Sequence, residues 1–185
     1  MACRAPRIEE SQQEVIVMSQ ELPLTPEARE DLIRRTWYSH DAKWYAAVAM
    51  EFGIEAANRL NRAAVKPVGA IEAYRLATAL GSARPATVAD FISFMQAGRN
   101  VYVPDSLIDM KLQQIDDSSY EVSVGNCYVE ANITKAGMAN AYECAVLDRI
   151  EGWHEAMGLP IETPEPVTCL KARGLPCQRV VRLKK

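Results

Sequence analysis

Hydrophobic and polar positions in the first fifty residues alternate with helical spacing after a polar start. Residues 1–21 are polar and without a sustained period, so we expect a flexible N-terminal segment. Thr25 and Pro26 are typical of an N-cap and of a first helical position. The pattern predicts a helix from there to about Phe52, interrupted by Gly53.

Two further helices are predicted before residue 100. The first ends at Gly81, a residue type that favours helix termination, and is expected to bend or break near Pro67. The second begins at Thr87 and Asp90, which have capping-box spacing, and is expected to end at Gly98.

The period changes from about four to two after residue 105. SLIDMKLQQID (106–116) and YEVSVGNCYVE (120–130) alternate as half-buried strands do. Residues 133–158 return to helical spacing, and 166–183 read as a last pair of short strands around a turn at Arg173 and Gly174.

This order predicts the α+β class: a helical N-terminal half packed with an antiparallel β-β-α-β-β half. Residues 22–185 are expected to form one domain, with a helical lobe over 22–100 and a sheet-plus-helix lobe over 101–185. Neither lobe looks able to bury its apolar face alone.

Composition and charge limit the partners. A net charge of -3 gives no reason to expect nucleic acid or an anionic membrane surface. No apolar run has the length of a membrane span, and the first residues lack the hydrophobic core of a secretory signal. We therefore expect a cytoplasmic protein whose thiols stay reduced.

The stretch WYSHDAKWY places an imidazole and a carboxylate between two indoles. His40 and Asp41 each lie three or four residues from Trp37 and from Trp44, so all four share one side of the helix. Either that side is a wet boundary, or it carries acid/base groups into an aromatic pocket; we predict the pocket. The second histidine, His154, is expected to be structural.

The cysteines allow more than one role. Cys144 lies on a predicted helical stripe with Leu147 and Ile150, which is typical of a small buried residue, but a thiol near a helix start can also be a nucleophile. Cys169 and Cys177 are not spaced as a usual zinc pair. A zinc site becomes reasonable only if Cys127 or Cys144 joins them, so no metal site is predicted and the cofactor is left unknown.

Four segments together resemble known families. NCYVE (126–130), ECAVLDRIEGW (143–153) and CLKARGLPCQRVVRL (169–183) resemble the L-2-amino-thiazoline-4-carboxylic acid hydrolase family and, more distantly, the 4-vinyl reductase ligand-binding domain. HDAKWYAAVAMEFGIEAANRLN (40–61) resembles a helix of an uncharacterised relative of that group. The resemblance implies a 4-vinyl reductase-like fold, often a homodimer, with a ligand between helices and sheet.

The resemblance also implies an activity, the opening of a small C–N or C–S ring by water. Such a reaction needs a group that attacks or activates water and a second that protonates the leaving atom. The candidate catalytic residues are His40, Asp41, Glu130, Cys144 and Asp148. The candidate substrate-binding residues are Trp37, Trp44 and Tyr128.

Two other functions fit the same residues. The protein could be a non-catalytic module that holds a hydrophobic ligand or a tetrapyrrole between helices and sheet. It could also be a dimeric assembly subunit of the same fold.

Overall fold

The computed structural model describes residues 24–81 and 84–184, and the predicted flexible segment 1–21 lies outside them. The chain forms an α+β structure whose helices and strands are α1 (Pro26–Phe52), α2 (Ile54–Leu80), α3 (Val88–Tyr102), β1 (Ile108–Asp116), β2 (Ser119–Cys127), α4 (Tyr128–Lys135), α5 (Val146–Met157) and β3 (Cys177–Arg182). None of the helices in the described ranges is both long and apolar enough to cross a membrane.

The first two helices form a hairpin with a single connecting residue. The Thr25 hydroxyl accepts a hydrogen bond from the Ala28 amide at 3.2 Å, which confirms the predicted N-cap. Gly53 has φ of 84°, a conformation that strongly favours glycine, and it lets α2 start immediately after α1 ends.

The predicted break at Pro67 is wrong, because α2 runs through that residue as one element. Close packing along α5 supports the helix on either side of the missing hydrogen bond. A Cβ atom added at Gly152 would lie 2.0 Å from the carbonyl oxygen of Lys66, and one at Gly69 would lie 2.2 Å from that of Arg149. Glycines therefore let the two helix backbones approach each other directly.

Helix α3 begins as predicted and ends later than predicted. Thr87 and Asp90 form both hydrogen bonds of a capping box. Gly98 does not end the helix but is buried inside it, because an added Cβ would lie 2.0 Å from the Trp153 ring of α5. Gly98 therefore allows the Trp153 ring to pack closely against α3, and it does not end the helix.

The sheet has three antiparallel strands in the order β1-β2-β3. Leu112 pairs with Val122 in the hairpin, and Tyr120 pairs with Val181 across to β3. The predicted fourth strand is absent from the described chain. The segment before β3 makes only isolated bridges, Glu143 with Thr168 and Ile161 with Leu183.

The region between β2 and β3 also differs from the prediction. Strand β2 ends at Cys127, and the next eight residues form α4 where a longer strand was expected. The helix predicted over 133–158 is shortened to α5, preceded by a loop. Ile133 of α4 and Tyr142 of the loop are both buried in the same cluster. Apolar residues therefore keep helical spacing along the sequence although the helix is interrupted.

The main core joins the helices to the sheet. Its largest fully buried side chains are Tyr120, Phe91, His154 and Val88. The Tyr120 hydroxyl lies 2.8 Å from Nε2 of His154, and Nδ1 of His154 lies 2.8 Å from the carbonyl oxygen of Leu159. Since a carbonyl only accepts, Nδ1 carries the proton and Nε2 accepts from the tyrosine. His154 is therefore a structural residue, as expected.

Candidate functional site

A partly open pocket of about 280 Å³ lies between α1, α4 and the start of α5. Four tyrosines line it, and we call it the tyrosine pocket: Tyr38, Tyr45, Tyr128 and Tyr142. Aliphatic side chains fill the gaps between the rings: Val65, Ile108, Val129, Ile133, Met138 and Val146. A concave, mainly apolar cavity with a few polar groups is typical of small-molecule sites.

A buried asparagine on α2 fixes one wall of this pocket. Oδ1 of Asn58 accepts hydrogen bonds from the Tyr45 hydroxyl at 2.6 Å and from the Glu143 amide at 3.0 Å. Its Nδ2 donates to the carbonyl of Ala141 at 2.8 Å. The loop before α5 is thereby tied to α2, and Tyr142 of that loop packs edge-on against Tyr45 with ring centroids 5.3 Å apart.

An ion pair between α2 and α5 lies behind the pocket. Arg149 lines the pocket and donates from Nε to Glu72 at 2.8 Å, with a second hydrogen bond from Nη2. The buried Glu72 carboxylate also accepts from Nε1 of Trp153 at 3.1 Å. These bonds hold the guanidinium in place and neutralise much of its charge.

Asp41 is the carboxylate that lines the tyrosine pocket. Partial burial raises the pKa of its side chain, while the charges of Arg149 and then His40 oppose the shift. Among the described residues no ion pair includes Asp41. The Asp41 side chain is exposed to solvent where it lines the pocket, so its carboxylate is available to a ligand.

The two indoles and the imidazole of α1 lie outside this pocket, and their predicted placement inside it is wrong. Trp37 is 56% exposed and Trp44 is 66% exposed, and His40 is exposed between them. The buried side of α1 is instead occupied by Tyr38 and Tyr45. Each tyrosine follows a tryptophan by one residue, a rotation of about 100° around the helix, so burying the tyrosines turns the indoles outward.

A second, smaller pocket collects four cysteines. Cys127, Cys144, Cys169 and Cys177 all line a cavity of about 50 Å³, which we call the thiol pocket. They come from the end of β2, the loop before α5, the segment after that helix and the start of β3. Four separate chain segments thus bring thiols to one place.

Cys144 does not have the environment predicted for a nucleophile. The residue precedes α5 and its amide donates to the carbonyl of Val167, so it is not on the predicted helical stripe with Ile150. Burial raises the pKa of its thiol to about 12, against a smaller opposing effect of the Val146 amide. The thiol is therefore protonated at neutral pH, and it lines the thiol pocket and not the tyrosine pocket.

A zinc site was considered reasonable only if Cys127 or Cys144 lay near Cys169 and Cys177. In the structure all four cysteines line the thiol pocket. In the described part of the chain, however, no three metal-ligating side chains are arranged around a common point. Burial also raises the pKa of Cys127 and Cys177, which favours neutral thiols. The sequence predicts no metal site here, and the arrangement of the thiols gives no reason to add one.

The other candidate residues have different surroundings. Asp148 is buried and accepts from Nε of Arg62 at 3.0 and 3.1 Å, which ties α5 to α2 and leaves it outside the tyrosine pocket. Glu130 accepts from the Thr134 hydroxyl at 3.2 Å within α4 and does not line the pocket. Tyr128 lines the tyrosine pocket.

Comparison with protein families places the chain in a group. Residues 28–169, which cover α2, α4 and α5 and all but the first two residues of α1, match the model of a family of unknown function, DUF6125. This chain belongs to DUF6125. No curated protein and no solved structure matches it. Within DUF6125, function must therefore be inferred from the site itself.

Sequence reasoning missed three residues that build the pocket of this DUF6125 protein. Asn58, Glu72 and Arg149 are polar residues within helical stretches, where a solvated surface position is the common outcome. Arg149 lies within the segment 143–153 that resembles the hydrolase family, and Asn58 lies within the segment 40–61 that resembles a relative of that group, whereas Glu72 carried no signal. Partners 77 positions apart, Arg149 and Glu72, are brought together by tertiary packing alone.

Proposed function

We propose that the tyrosine pocket binds a small cyclic or carboxylated metabolite and that Asp41 is the ionisable group that contacts it. The observation that carries the proposal is the position of Asp41, which lines the pocket together with four tyrosines and forms no ion pair with a described residue. A volume of about 280 Å³ suits a metabolite of one or two rings better than a tetrapyrrole, since drug-sized ligands fill roughly 300–1,000 Å³.

The catalytic form of this proposal is a ring-opening hydrolysis. Asp41 would take a proton from water as the water attacks the ring carbon, and the C–N or C–S bond would break with the proton returned to the leaving atom. The nearby Arg149 guanidinium favours the ionised form of Asp41, which is the form that accepts a proton. Cys144 and Asp148 have no part in this scheme, because both lie outside the pocket.

A non-catalytic binding module is the second candidate. It is favoured by one observation: the thiol and the imidazole that would have supplied further acid/base groups do not line the tyrosine pocket of the chain. The 4-vinyl reductase-like fold and a cytoplasmic location belong to either version of the proposal.

Binding and turnover of 2-amino-thiazoline-4-carboxylate test the two versions together. We expect calorimetric binding to the native chain that weakens at least ~10-fold in Asp41→Asn and in Ala46→Phe, which fills the pocket. Ala64→Phe, on the exposed side of α2, is the matched control and should bind normally.

Release of a ring-opened product, followed by mass spectrometry, separates catalysis from binding. Loss of turnover by ~10²-fold in Asp41→Asn is expected for an acid/base residue. Binding without turnover supports the module, and a probe that does not bind refutes the cyclic-carboxylate ligand class.

A further inference from the structure

A second cavity lies between α1, α2 and the end of α3, and we call it the helical groove. Its volume is about 670 Å³, and none of its lining residues belongs to the sheet. Tyr38 and Arg149 line both the helical groove and the tyrosine pocket, so these two side chains lie between the two cavities. A concave site of this size can hold most of a small molecule.

The walls of the helical groove are apolar although they are open to solvent. Ile33, Trp37, Ile71 and Val101 line it and are 70%, 56%, 48% and 43% exposed. Apolar side chains scattered singly over a surface need no explanation, but here three helices bring theirs to one concave surface. The walls therefore favour a ligand with an apolar body.

Two of the arginines that line the helical groove already have counter-ions there. Nη2 of Arg34 lies 2.7 Å from Oε2 of Glu30. Nε of Arg149 donates to Glu72 at 2.8 Å, and Nη2 forms the second bond of that pair. Because both carboxylates also line the groove, these two pairs add no net charge to it.

Arg75 of α2 supplies a positive charge without such a partner. It is exposed and lines the groove, and no described carboxylate forms an ion pair with it. Burial and the Glu72 charge raise the pKa of Tyr102, and the charge of Arg75 opposes this shift, so the Arg75 guanidinium acts toward another groove residue. A guanidinium can bind a carboxylate through two parallel hydrogen bonds.

We propose that the helical groove binds an aliphatic monocarboxylate, with the carboxylate on Arg75 and the chain against Ile71 and Trp37. A ligand with a single negative charge matches the single unmatched guanidinium among the described groove residues. Arg75, Ile71 and Val68 follow one another along α2 over about 10 Å, the length of an extended chain of roughly eight carbon atoms. The site gives the exposed Trp37 a role and does not depend on the function proposed for the tyrosine pocket.

Calorimetric titration of decanoate into the full chain tests the apolar part of the site. We expect saturable binding below ~1 mM. Ile71→Glu should weaken this binding at least ~10-fold, because it places a second negative charge on the groove wall. Leu60→Glu is the matched control: Leu60 is 49% exposed on the same helix but does not line the groove, and its variant should bind as the native chain does. Circular dichroism checks that both exposed variants are folded.

A comparison of decanoate with decan-1-ol tests the charged part of the site. Arg75→Gln should weaken decanoate binding at least ~5-fold and leave decan-1-ol binding unchanged, because only the carboxylate uses the guanidinium. Arg59→Gln removes an exposed arginine of the same helix that does not line the groove, and it should keep the native affinity for decanoate.

Ala46→Phe separates this site from the tyrosine pocket. It fills that pocket and should leave decanoate binding unchanged, whatever it does to the ligand proposed there. The helical groove would be overturned as a carboxylate site by a native chain that does not bind decanoate, by equal decanoate affinities of the native chain and Arg75→Gln, or by equal losses in Ile71→Glu and Leu60→Glu. A dimer in sedimentation velocity that Ile71→Glu dissociates, without decanoate binding, would overturn it as well and assign the groove to a second copy.

Discussion

Arg149 and Glu72 form a two-hydrogen-bond ion pair between α5 and α2, with Nε of the arginine 2.8 Å from Oε2 of the glutamate. This pairing shapes the candidate site, since it positions the guanidinium at the back of the tyrosine pocket and leaves Asp41 without an ion-pair partner among the described residues. It also stabilises the contact between the two helices.

Glu72→Gln tests the structural part of this pairing. Because the substitution leaves a largely buried guanidinium without its counter-charge, we expect the free energy of unfolding to fall by about 3 kcal/mol. Urea denaturation followed by circular dichroism measures the loss. Glu55→Gln, at an exposed position of the same helix, should change stability little, and an equal loss in the two variants would contradict the assignment.

Gly98→Ala tests the close contact of α3 with α5. The added methyl group would lie 2.0 Å from Cη2 of Trp153, whose indole nitrogen is tied to Glu72 and cannot move freely. We expect destabilisation of about 1–3 kcal/mol in urea denaturation. Ser93→Ala, an exposed change in the same helix, is the control. If Gly98→Ala were as stable as this control, the Trp153 ring could move to accommodate the methyl group, and the close contact would not limit stability.

The buried imidazole of His154 predicts a loss of stability in acid. Burial lowers the pKa of His154 from 6.5 to about 4. Between these values the unfolded chain binds more protons than the folded one, so unfolding is favoured as the pH falls from 6.5 to 4, by on the order of 3 kcal/mol in total. Above pH 6.5 this contribution is fully present.

Thermal denaturation across that pH range measures the effect. His154→Asn, whose side-chain amide can still donate to the Leu159 carbonyl, should be less stable at neutral pH but flatter between pH 6.5 and 4. His40→Asn changes an exposed histidine and should keep the native slope. If the stability of His154→Asn depended on pH as steeply as that of the native chain, groups other than His154 would cause the loss of stability in acid.

The thiol pocket predicts slow alkylation. Burial raises the pKa of Cys127, Cys144 and Cys177, so few thiolates exist at neutral pH. In a Cys3→Ser background we expect iodoacetamide to react at least ~10²-fold more slowly with the native than with the unfolded chain. Fast reaction of Cys144 in the native chain would contradict its assignment as a neutral buried thiol and support the predicted nucleophile.

Much of the helical half could be predicted because its signals are local. The Thr25 cap, the Gly53 interruption and the capping box of Thr87 and Asp90 depend on neighbouring residues, and all three are confirmed. The β1–β2 hairpin was equally visible in alternating residues. Gly98 was misread because a glycine that ends a helix and a glycine that admits an indole look the same in sequence.

The site was harder to predict because orientation around a helix depends on tertiary packing. The aromatic positions of α1 include both indoles and tyrosines, and the sequence did not show which set α4 and α5 would cover. Asp41 and Tyr128 line the tyrosine pocket, while His40, Trp37 and Trp44 lie outside it and are exposed. Cys144 lies in the loop before α5 and not in the predicted helix. The sequence did not show this, because apolar residues keep helical spacing on both sides of the loop.

Calorimetric titration of 2-amino-thiazoline-4-carboxylate into the native chain, Asp41→Asn and Ala64→Phe tests the central claim most directly. The claim predicts saturable binding to the native chain and to Ala64→Phe, and affinity at least ~10-fold weaker in Asp41→Asn. Equal affinity in all three proteins, or no binding to any of them, would contradict the assignment of the tyrosine pocket and its free carboxylate as the binding site for this class of ligand.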